Sequence, residues 1–108
     1  MRLSMIVGGA LKSAMNIRGI PVVNINYQDM GNWAWKSTPV VPKMHMHIFG
    51  RSLDAKKQIF PEAVQLPSKE SGFYEDNEPL NNDDIAEIKR QIELECAKSK
   101  YSMSEWSL

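Results

Sequence analysis

The 108-residue chain lacks an excess of charge of either sign, a pair of cysteines and any apolar run long enough to span a bilayer. Thirteen basic residues cancel thirteen acidic ones, which argues against a basic groove for nucleic acid. The only cysteine, Cys96, has no partner for an internal disulfide, so we expect a reducing compartment and a cytoplasmic location. The short apolar runs give no reason to expect a membrane partner.

The N-terminal stretch has some features of a secretory signal, because an arginine precedes apolar and small residues. Its apolar run is short, is interrupted by Gly8 and Gly9, and is followed directly by Lys12. A signal peptide needs a longer uninterrupted apolar segment. This pattern therefore argues against secretion and favours an apolar helical face, in which the two glycines weaken the helix or allow another backbone to approach closely.

Hydrophobic spacing predicts a single α+β domain over residues 1–108. Apolar residues three and four positions apart predict a helix over 3–17, and alternation predicts strands over 21–27 and 40–51. A third pattern predicts a C-terminal helix over 83–98, which an asparagine at 81 or 82 would cap. We expect a short antiparallel sheet with the N-terminal and C-terminal helices packed on it.

The same periodicities assign residues to faces. In the first strand, one face carries Val22, Asn24 and Asn26, and the other carries Val23, Ile25 and Tyr27. In the second strand, Lys43, His45, His47 and Phe49 share a face opposite a core face of Met44, Met46 and Ile48. On the C-terminal helix, the buried stripe is expected to comprise Ile85, Ile88, Ile92 and Cys96.

Two further segments carry no regular period. The polar loop over 28–39 contains Trp33 and Trp35, which either pack on the edge of the core or form the wall of a pocket or a dimer contact. Residues 52–80 are expected to form a long ordered loop, called the excursion below, which aromatic residues anchor to the rest of the domain. A loop of this length is uncommon unless it has a function.

Histidine is also scarce in this chain: the only two, His45 and His47, lie two positions apart on one predicted strand face. They could be surface residues on a solvated face. They could share a metal ion, although zinc prefers three or four protein ligands and the chain has no third histidine. They could also act on phosphorus, one imidazole as nucleophile and the other as proton donor, with Lys43 supplying positive charge.

The run from Lys43 to Phe49 resembles the motif of the histidine triad (HIT-like) superfamily of nucleotide hydrolases and transferases, in which three histidines alternate with apolar residues. The apolar positions match, and Lys43 stands where the first histidine of the triad is found. The order of helix, asparagine-bearing strand, polar loop and histidine strand is also similar. The resemblance covers roughly residues 3–51.

The resemblance implies a mechanism and a set of site residues. The middle histidine, His45, would attack the α-phosphorus of a nucleotide to form a nucleotidyl-histidine, and His47 would assist the leaving group. Substrates would be nucleoside phosphoramidates, dinucleoside polyphosphates or nucleotide-linked sugars, and neither a metal nor another cofactor would be required. Phosphate contacts are implied for Asn24 or Asn26, Asp29, Gly31, Asn32 and Lys43.

Two departures from the family pattern shape the expectations. A charged lysine donates hydrogen bonds but does not accept them, so Lys43 cannot replace every role of an imidazole. The N-terminal strands of typical members are missing, so we expect either a truncated domain or a partner chain that supplies this part, with a homodimer favoured. The alternatives to a hydrolase are a nucleotide-binding protein with little or no turnover and a His-x-His metal-binding protein.

Overall fold

The computed structural model describes residues 1–41 and 43–107, and it has a mixed helix and strand architecture of the expected α+β kind. The elements used below are helix α1 (Arg2–Ile17), strand β1 (Val22–Asp29), strand β2 (Met46–Ser52), helix α2 (Asn82–Cys96) and helix α3 (Met103–Trp106). A 3-10 turn over Gly31–Lys36 follows β1. Within the described part, no helix combines the length and the apolar character needed to cross a membrane.

Strands β1 and β2 form a two-stranded antiparallel sheet, in which Tyr27 pairs with Ile48 and Gln28 pairs with His47. The register shifts between Val22 and Asn24, which marks a β-bulge. Because of this shift, Val22 joins Ile25 on the helix side, and the predicted face shared by Val22 and the two asparagines is wrong. Simple alternation fails here because one extra residue reverses every side chain beyond it.

The second strand is shorter than predicted, because β2 begins at Met46 and not at residue 40. Lys43 and His45 therefore precede the strand. Met44 is 65% exposed, so its assignment to the core face is wrong, whereas Met46 and Ile48 are half-buried. The regular pairing stops because β1 ends at Asp29; one further backbone hydrogen bond joins Met30 to His45 before the chain enters the 3-10 turn.

The core lies between α1 and the sheet. Ala14, Met15 and Val22 form its centre, and Ile88 of α2 packs against it from the other side. Helix α2 packs mainly on α1, and Ile88 is its contribution to the core that α1 shares with the sheet. The long segment between β2 and α2 forms no strand in the described residues and contains one short 3-10 turn over Lys69–Ser71.

Helix α2 begins as its sequence predicts, but it buries a different face. The side chain of Asn81 accepts a hydrogen bond from the backbone of Asp84, and Asp84 returns one to the backbone of Asn81, which forms a capping box. The buried residues of α2 are Asp84, Gln91 and Glu95, whereas Ile85 and Cys96 are exposed. The predicted apolar stripe is therefore wrong at those two positions, because an ion pair and not an apolar seam joins the start of α2 to the end of α1.

That ion pair predicts a dependence of stability on pH. The Arg18 guanidinium hydrogen-bonds Asp84 at 2.9 Å and lowers the pKa of this carboxyl, while Arg90 and Gln91 lower the pKa of Glu87 to about 2. Carboxyls with lowered pKa values stabilise the fold at neutral pH, and this stabilisation is lost as pH falls from 4.5 toward about 2. Because Asp84 loses its charge as pH falls, we expect Arg18→Gln to lower the free energy of unfolding more at pH 7 than at pH 2.

Chemical denaturation at both pH values checks this expectation. Lys12→Gln, an exposed neutralisation on the same helix, is the matched control and should leave the fall of stability with pH unchanged. Equal losses of stability at pH 7 and pH 2 in the Arg18 variant would show that the pair contributes nothing through ionisation.

Gly8 allows the side chain of Tyr27 to rest directly on α1. A Cβ atom at position 8 would lie 2.1 Å from Oη and 2.8 Å from Cζ of Tyr27.

We expect Gly8→Ala to lower the free energy of unfolding by about 1–3 kcal/mol through overpacking, although alanine favours a helix by about 1 kcal/mol over glycine. The same substitution in a Tyr27→Ala background should be neutral or stabilising, and urea unfolding of the four proteins measures this coupling. A Gly8→Ala protein more stable than wild type with Tyr27 present contradicts the close contact.

Candidate active site

The two imidazole rings lie side by side. His47 is the second residue of β2, and His45 immediately precedes the strand. Their ring centroids are 4.7 Å apart, and their Nε2 atoms are 3.1 Å apart, which is hydrogen-bonding distance. A bond between two Nε2 atoms needs one ring as donor and the other as acceptor, so the pair shares a single proton at this position.

The end of β1 holds the backbone of His45 from two sides. Oδ1 of Asp29 accepts hydrogen bonds from the backbone N–H groups of Gly31 at 2.9 Å and His45 at 3.2 Å. The backbone N–H of Met30 donates to the carbonyl of His45 at 2.6 Å. Asp29 thus bridges the 3-10 turn and the histidine segment, and this bridge takes the place of the strand pairing that ends at Met46.

Aromatic rings enclose the histidine pair on one side. The Trp33 ring meets both imidazoles edge-on, with centroid distances of 5.7 Å to His45 and 5.2 Å to His47. Phe49 stacks on His47 at 5.6 Å. His47 is therefore held between two aromatic rings and is half-buried, while His45 is exposed and approachable from solvent.

The remaining residues predicted for the site are only partly brought together. Gly31 lies beside Asp29 and beside the backbone carbonyl of Lys43, and the side chains of Asn32 and Lys43 are exposed. Asn24 is exposed and pairs with Arg51, four ladder steps from His47, which is roughly 13 Å along the strand. Asn26 is nearer, but its Oδ1 accepts a hydrogen bond from Arg51 at 3.3 Å.

Arg51 has a role that the sequence interpretation missed. Its side chain is on the histidine side of β2 and the residue is only 3% exposed. The guanidinium donates to the carbonyl of Glu62 at 2.6 Å and lies over the Phe60 ring at 5.7 Å, so it fastens the excursion to the sheet. Its Nε atom is buried without a hydrogen-bond partner among the described residues. The sequence could predict only that Arg51 lies on the same face as His47 and Phe49, because the alternation continues to that position. It could not predict that Arg51 is buried.

Trp33 also borders a second feature, an open cleft of about 880 Å³. The cleft is formed by the 3-10 turn after β1 and by the excursion, and its walls include Trp33, Lys36, Leu66, Pro67, Lys69 and Tyr74. The Nζ atom of Lys36 lies 5.2 Å from the centroid of the Trp33 ring. Trp33 is thus a shared wall between the histidine pair and the cleft, whereas Trp35 is 74% exposed.

The donor set does not form a closed metal site. Across residues 1–41 and 43–107, no group of three histidine, cysteine or carboxylate side chains is close enough to hold a metal ion. Asp29, whose carboxylate contacts the backbone of His45, already accepts two backbone hydrogen bonds at Oδ1. Two neighbouring imidazoles can share a proton or attack an electrophile without a third ligand.

Comparisons with protein-family models, with curated proteins and with solved structures find no match to this chain. The resemblance to the histidine triad superfamily therefore rests on the sequence motif and on the order of the predicted elements alone.

Proposed function

We propose that this protein is a histidine-triad-like nucleotide hydrolase or transferase that acts at an α-phosphate through a nucleotidyl-histidine intermediate. The observation that carries the proposal is the pair of imidazoles whose Nε2 atoms are 3.1 Å apart at an exposed position. When the hydrogen bond between the two imidazoles opens, the ring that accepted it offers a lone pair and the ring that donated it offers a proton in the same place. Phosphoryl transfer from a nucleoside phosphoramidate or dinucleoside polyphosphate needs both groups.

The surroundings of the two rings support different roles for them. His45 is exposed and its backbone is fixed by Asp29 and Met30, so its ring can meet a phosphorus atom without a large movement. His47 is held between Trp33 and Phe49, which suits a group that must keep its orientation while it gives and takes a proton. We assign His45 as the nucleophile and His47 as the general acid.

The proposed reaction balances with one proton on the pair. The Nε2 lone pair of neutral His45 forms a bond to phosphorus while the bond from phosphorus to the leaving nitrogen or oxygen breaks. Protonated His47 gives its Nε2 proton to the leaving atom and becomes neutral. Water then attacks phosphorus, His47 accepts a proton from this water, and the bond to His45 breaks, which releases the nucleoside monophosphate.

Phosphate oxygens require donors around this pair. We assign this role to the exposed side chain of Lys43, two residues before His45, and to the turn around Gly31 and Asn32, which Asp29 ties to the backbone of His45. Asn24 completes the set if the ligand extends along β2. Asp29 contributes by holding the turn and His45 in register, since its Oδ1 atom is engaged by backbone donors.

We also propose that the protein works as a homodimer in the cytoplasm. A two-stranded sheet leaves an unpaired edge on each strand in the described part of the chain, and exposed edges favour pairing with another chain. Exposed apolar side chains on the helices, Leu3, Ile17 and Leu94, add surface that a second copy can cover. The single cysteine agrees with a reducing compartment.

A nucleotide-binding protein without turnover is the second candidate. Lys43 occupies the first position of the triad and its side chain is exposed. A charged lysine donates hydrogen bonds but does not accept them, so it cannot exchange a proton with the two histidines as a third imidazole would. Such a protein would keep the phosphate site and lack the reaction.

The test is hydrolysis of adenosine and guanosine phosphoramidates, followed by release of the nucleoside monophosphate, with calorimetric titration of the same nucleotides in parallel. Turnover that is lost in His45→Asn supports the hydrolase. Binding without turnover supports the second candidate, and neither binding nor turnover contradicts both.

A further inference from the structure

The cleft beside Trp33 has walls that are held in place by their own hydrogen bonds. Tyr74 donates from its hydroxyl to the carbonyl of Pro67 at 2.9 Å, and the hydroxyl of Ser71 donates to the carbonyl of Ser68 at 2.7 Å. Lys57 donates to the carbonyl of Phe73 at 2.7 Å and pairs with Asp76. The loop that forms the far wall is therefore preorganised, and a ligand would meet a shaped surface without having to order it.

The chemistry of the walls favours a flat apolar group. Trp33 and Tyr74 supply aromatic surfaces, and Leu66 and Pro67 supply aliphatic ones. An aromatic ring bound on such surfaces gains stacking and apolar contacts. Stacking of this kind accepts different ring systems. The two lysines and two glutamates at the rim, Lys36, Lys69, Glu70 and Glu75, balance in charge, so the cleft as a whole does not select a free anion.

Position links the cleft to the histidine pair. Trp33 touches both imidazoles and also lines the cleft, so the two features are one indole ring apart. Lys36 lies over the same indole and places one positive charge at the boundary. A ligand that spans this boundary would have its phosphate at the histidines and Lys36 and its flat group beyond Trp33.

We propose that this cleft binds a planar aromatic group joined to the reacting phosphate by a linker at least as long as an indole ring is wide. The inference rests on the proposed function, because it takes the phosphate to lie at His45. Two parts of a substrate have this chemistry, namely the base of the nucleotide, linked through its sugar, and an arylethylamine leaving group, linked through its ethyl chain.

The test uses Leu66→Asp, which removes an apolar wall and adds a negative charge to it, and Leu53→Asp as the matched control. Leu66 is 40% exposed and lines the cleft, while Leu53 is 64% exposed and does not line it. Three phosphoramidates serve as substrates: a nucleoside phosphoramidate with an alkylamine leaving group, a methyl phosphoramidate with an arylethylamine leaving group, and a methyl phosphoramidate with an alkylamine leaving group. Leu66→Ala is measured beside them as a milder change of the wall.

We expect Leu66→Asp to raise KM about tenfold for one aromatic substrate, with kcat little changed, because a loss of contact in the cleft weakens ground-state and transition-state binding alike. A rise confined to the nucleoside substrate assigns the cleft to the base, and a rise confined to the arylethylamine substrate assigns it to the leaving group. The substrate without an aromatic group, and the Leu53→Asp control on all three, should show no rise. Equal KM values for wild type, Leu66→Asp and Leu66→Ala on both aromatic substrates overturn the inference.

Calorimetric binding separates this inference from the proposed function. If none of the three substrates is hydrolysed, titration with adenosine monophosphate, phenethyl phosphate and methyl phosphate still measures the cleft. Weaker binding of one aromatic phosphate to Leu66→Asp supports the cleft while the hydrolase proposal fails. Identical binding of every phosphate to wild type and variant overturns the cleft.

Discussion

Replacement of His45 with asparagine is expected to lower kcat/KM for a nucleoside phosphoramidate at least about a thousandfold, because the covalent route loses its nucleophile. Asparagine keeps a polar side chain at the position but has no lone pair of comparable nucleophilicity. The backbone contacts of this residue, from Asp29 and Met30, do not involve the ring, so the fold around the site should persist. Steady-state release of nucleoside monophosphate measures the loss.

The control for this variant is nucleotide affinity. Calorimetric titration with the product monophosphate should give a Kd within about threefold of wild type, which corresponds to less than 1 kcal/mol. A variant that retains a tenth or more of the wild-type kcat/KM would show that the reaction does not pass through His45. A variant that loses binding as well as turnover would point to a structural effect of the ring, and Asp29 contacts would then need to be examined by amide hydrogen exchange.

Replacement of His47 with asparagine is expected to produce a loss that depends on the leaving group. General acid catalysis contributes about 10²–10⁴-fold, and the contribution is greatest for a leaving group that cannot depart without a proton. For an alkylamine phosphoramidate we therefore expect a loss of about 10²–10⁴ in kcat/KM. A 4-nitrophenyl ester of the same nucleotide releases 4-nitrophenolate, which leaves without being protonated. For this ester the loss in kcat/KM should be about tenfold or less.

The comparison of the two substrates supplies its own control, since both meet the same nucleophile and the same phosphate donors. Equal losses on the alkylamine and nitrophenyl substrates would show that His47 does not act as the acid.

Local patterns in the sequence predicted the helices well. Helix α1 was expected over 3–17 and covers Arg2–Ile17, because its apolar residues recur at helical spacing on both sides of Gly8 and Gly9. The capping residue of α2, Asn81, was predictable because a cap and its partner three residues later act within one turn. Such features depend on neighbours in the chain, which the sequence displays directly.

Features that depend on distant residues were mispredicted or missed. The bulge near Val22 reflects pairing with Ser52 and Arg51, and no local signal marks it. The buried face of α2 is set by α1, where Arg18 draws Asp84 inward at the expense of Ile85. Periodicity ranks residues by their own hydrophobicity, so it cannot anticipate a polar contact that a partner helix supplies.

The candidate site divides in the same way. The proximity of His45 and His47 follows from their spacing of two, which places both rings on one side of an extended chain. Trp33 was recognised as a residue in need of a partner, but its contact with both imidazoles depends on the turn after β1. The cleft and the buried Arg51 depend on the excursion folding back to the sheet, and the irregular sequence of that segment carries no period from which this could be predicted.

Intact-mass spectrometry of the protein mixed with a nucleoside phosphoramidate and quenched without acid shows directly whether a nucleotidyl-histidine forms at His45. A neutral quench is needed because acid cleaves the bond between phosphorus and an imidazole nitrogen. We expect a covalent adduct of one nucleotidyl group on the wild-type protein and none on His45→Asn. An adduct of the same mass on His45→Asn, or release of nucleoside monophosphate with no adduct on any protein at millisecond sampling, would contradict this expectation.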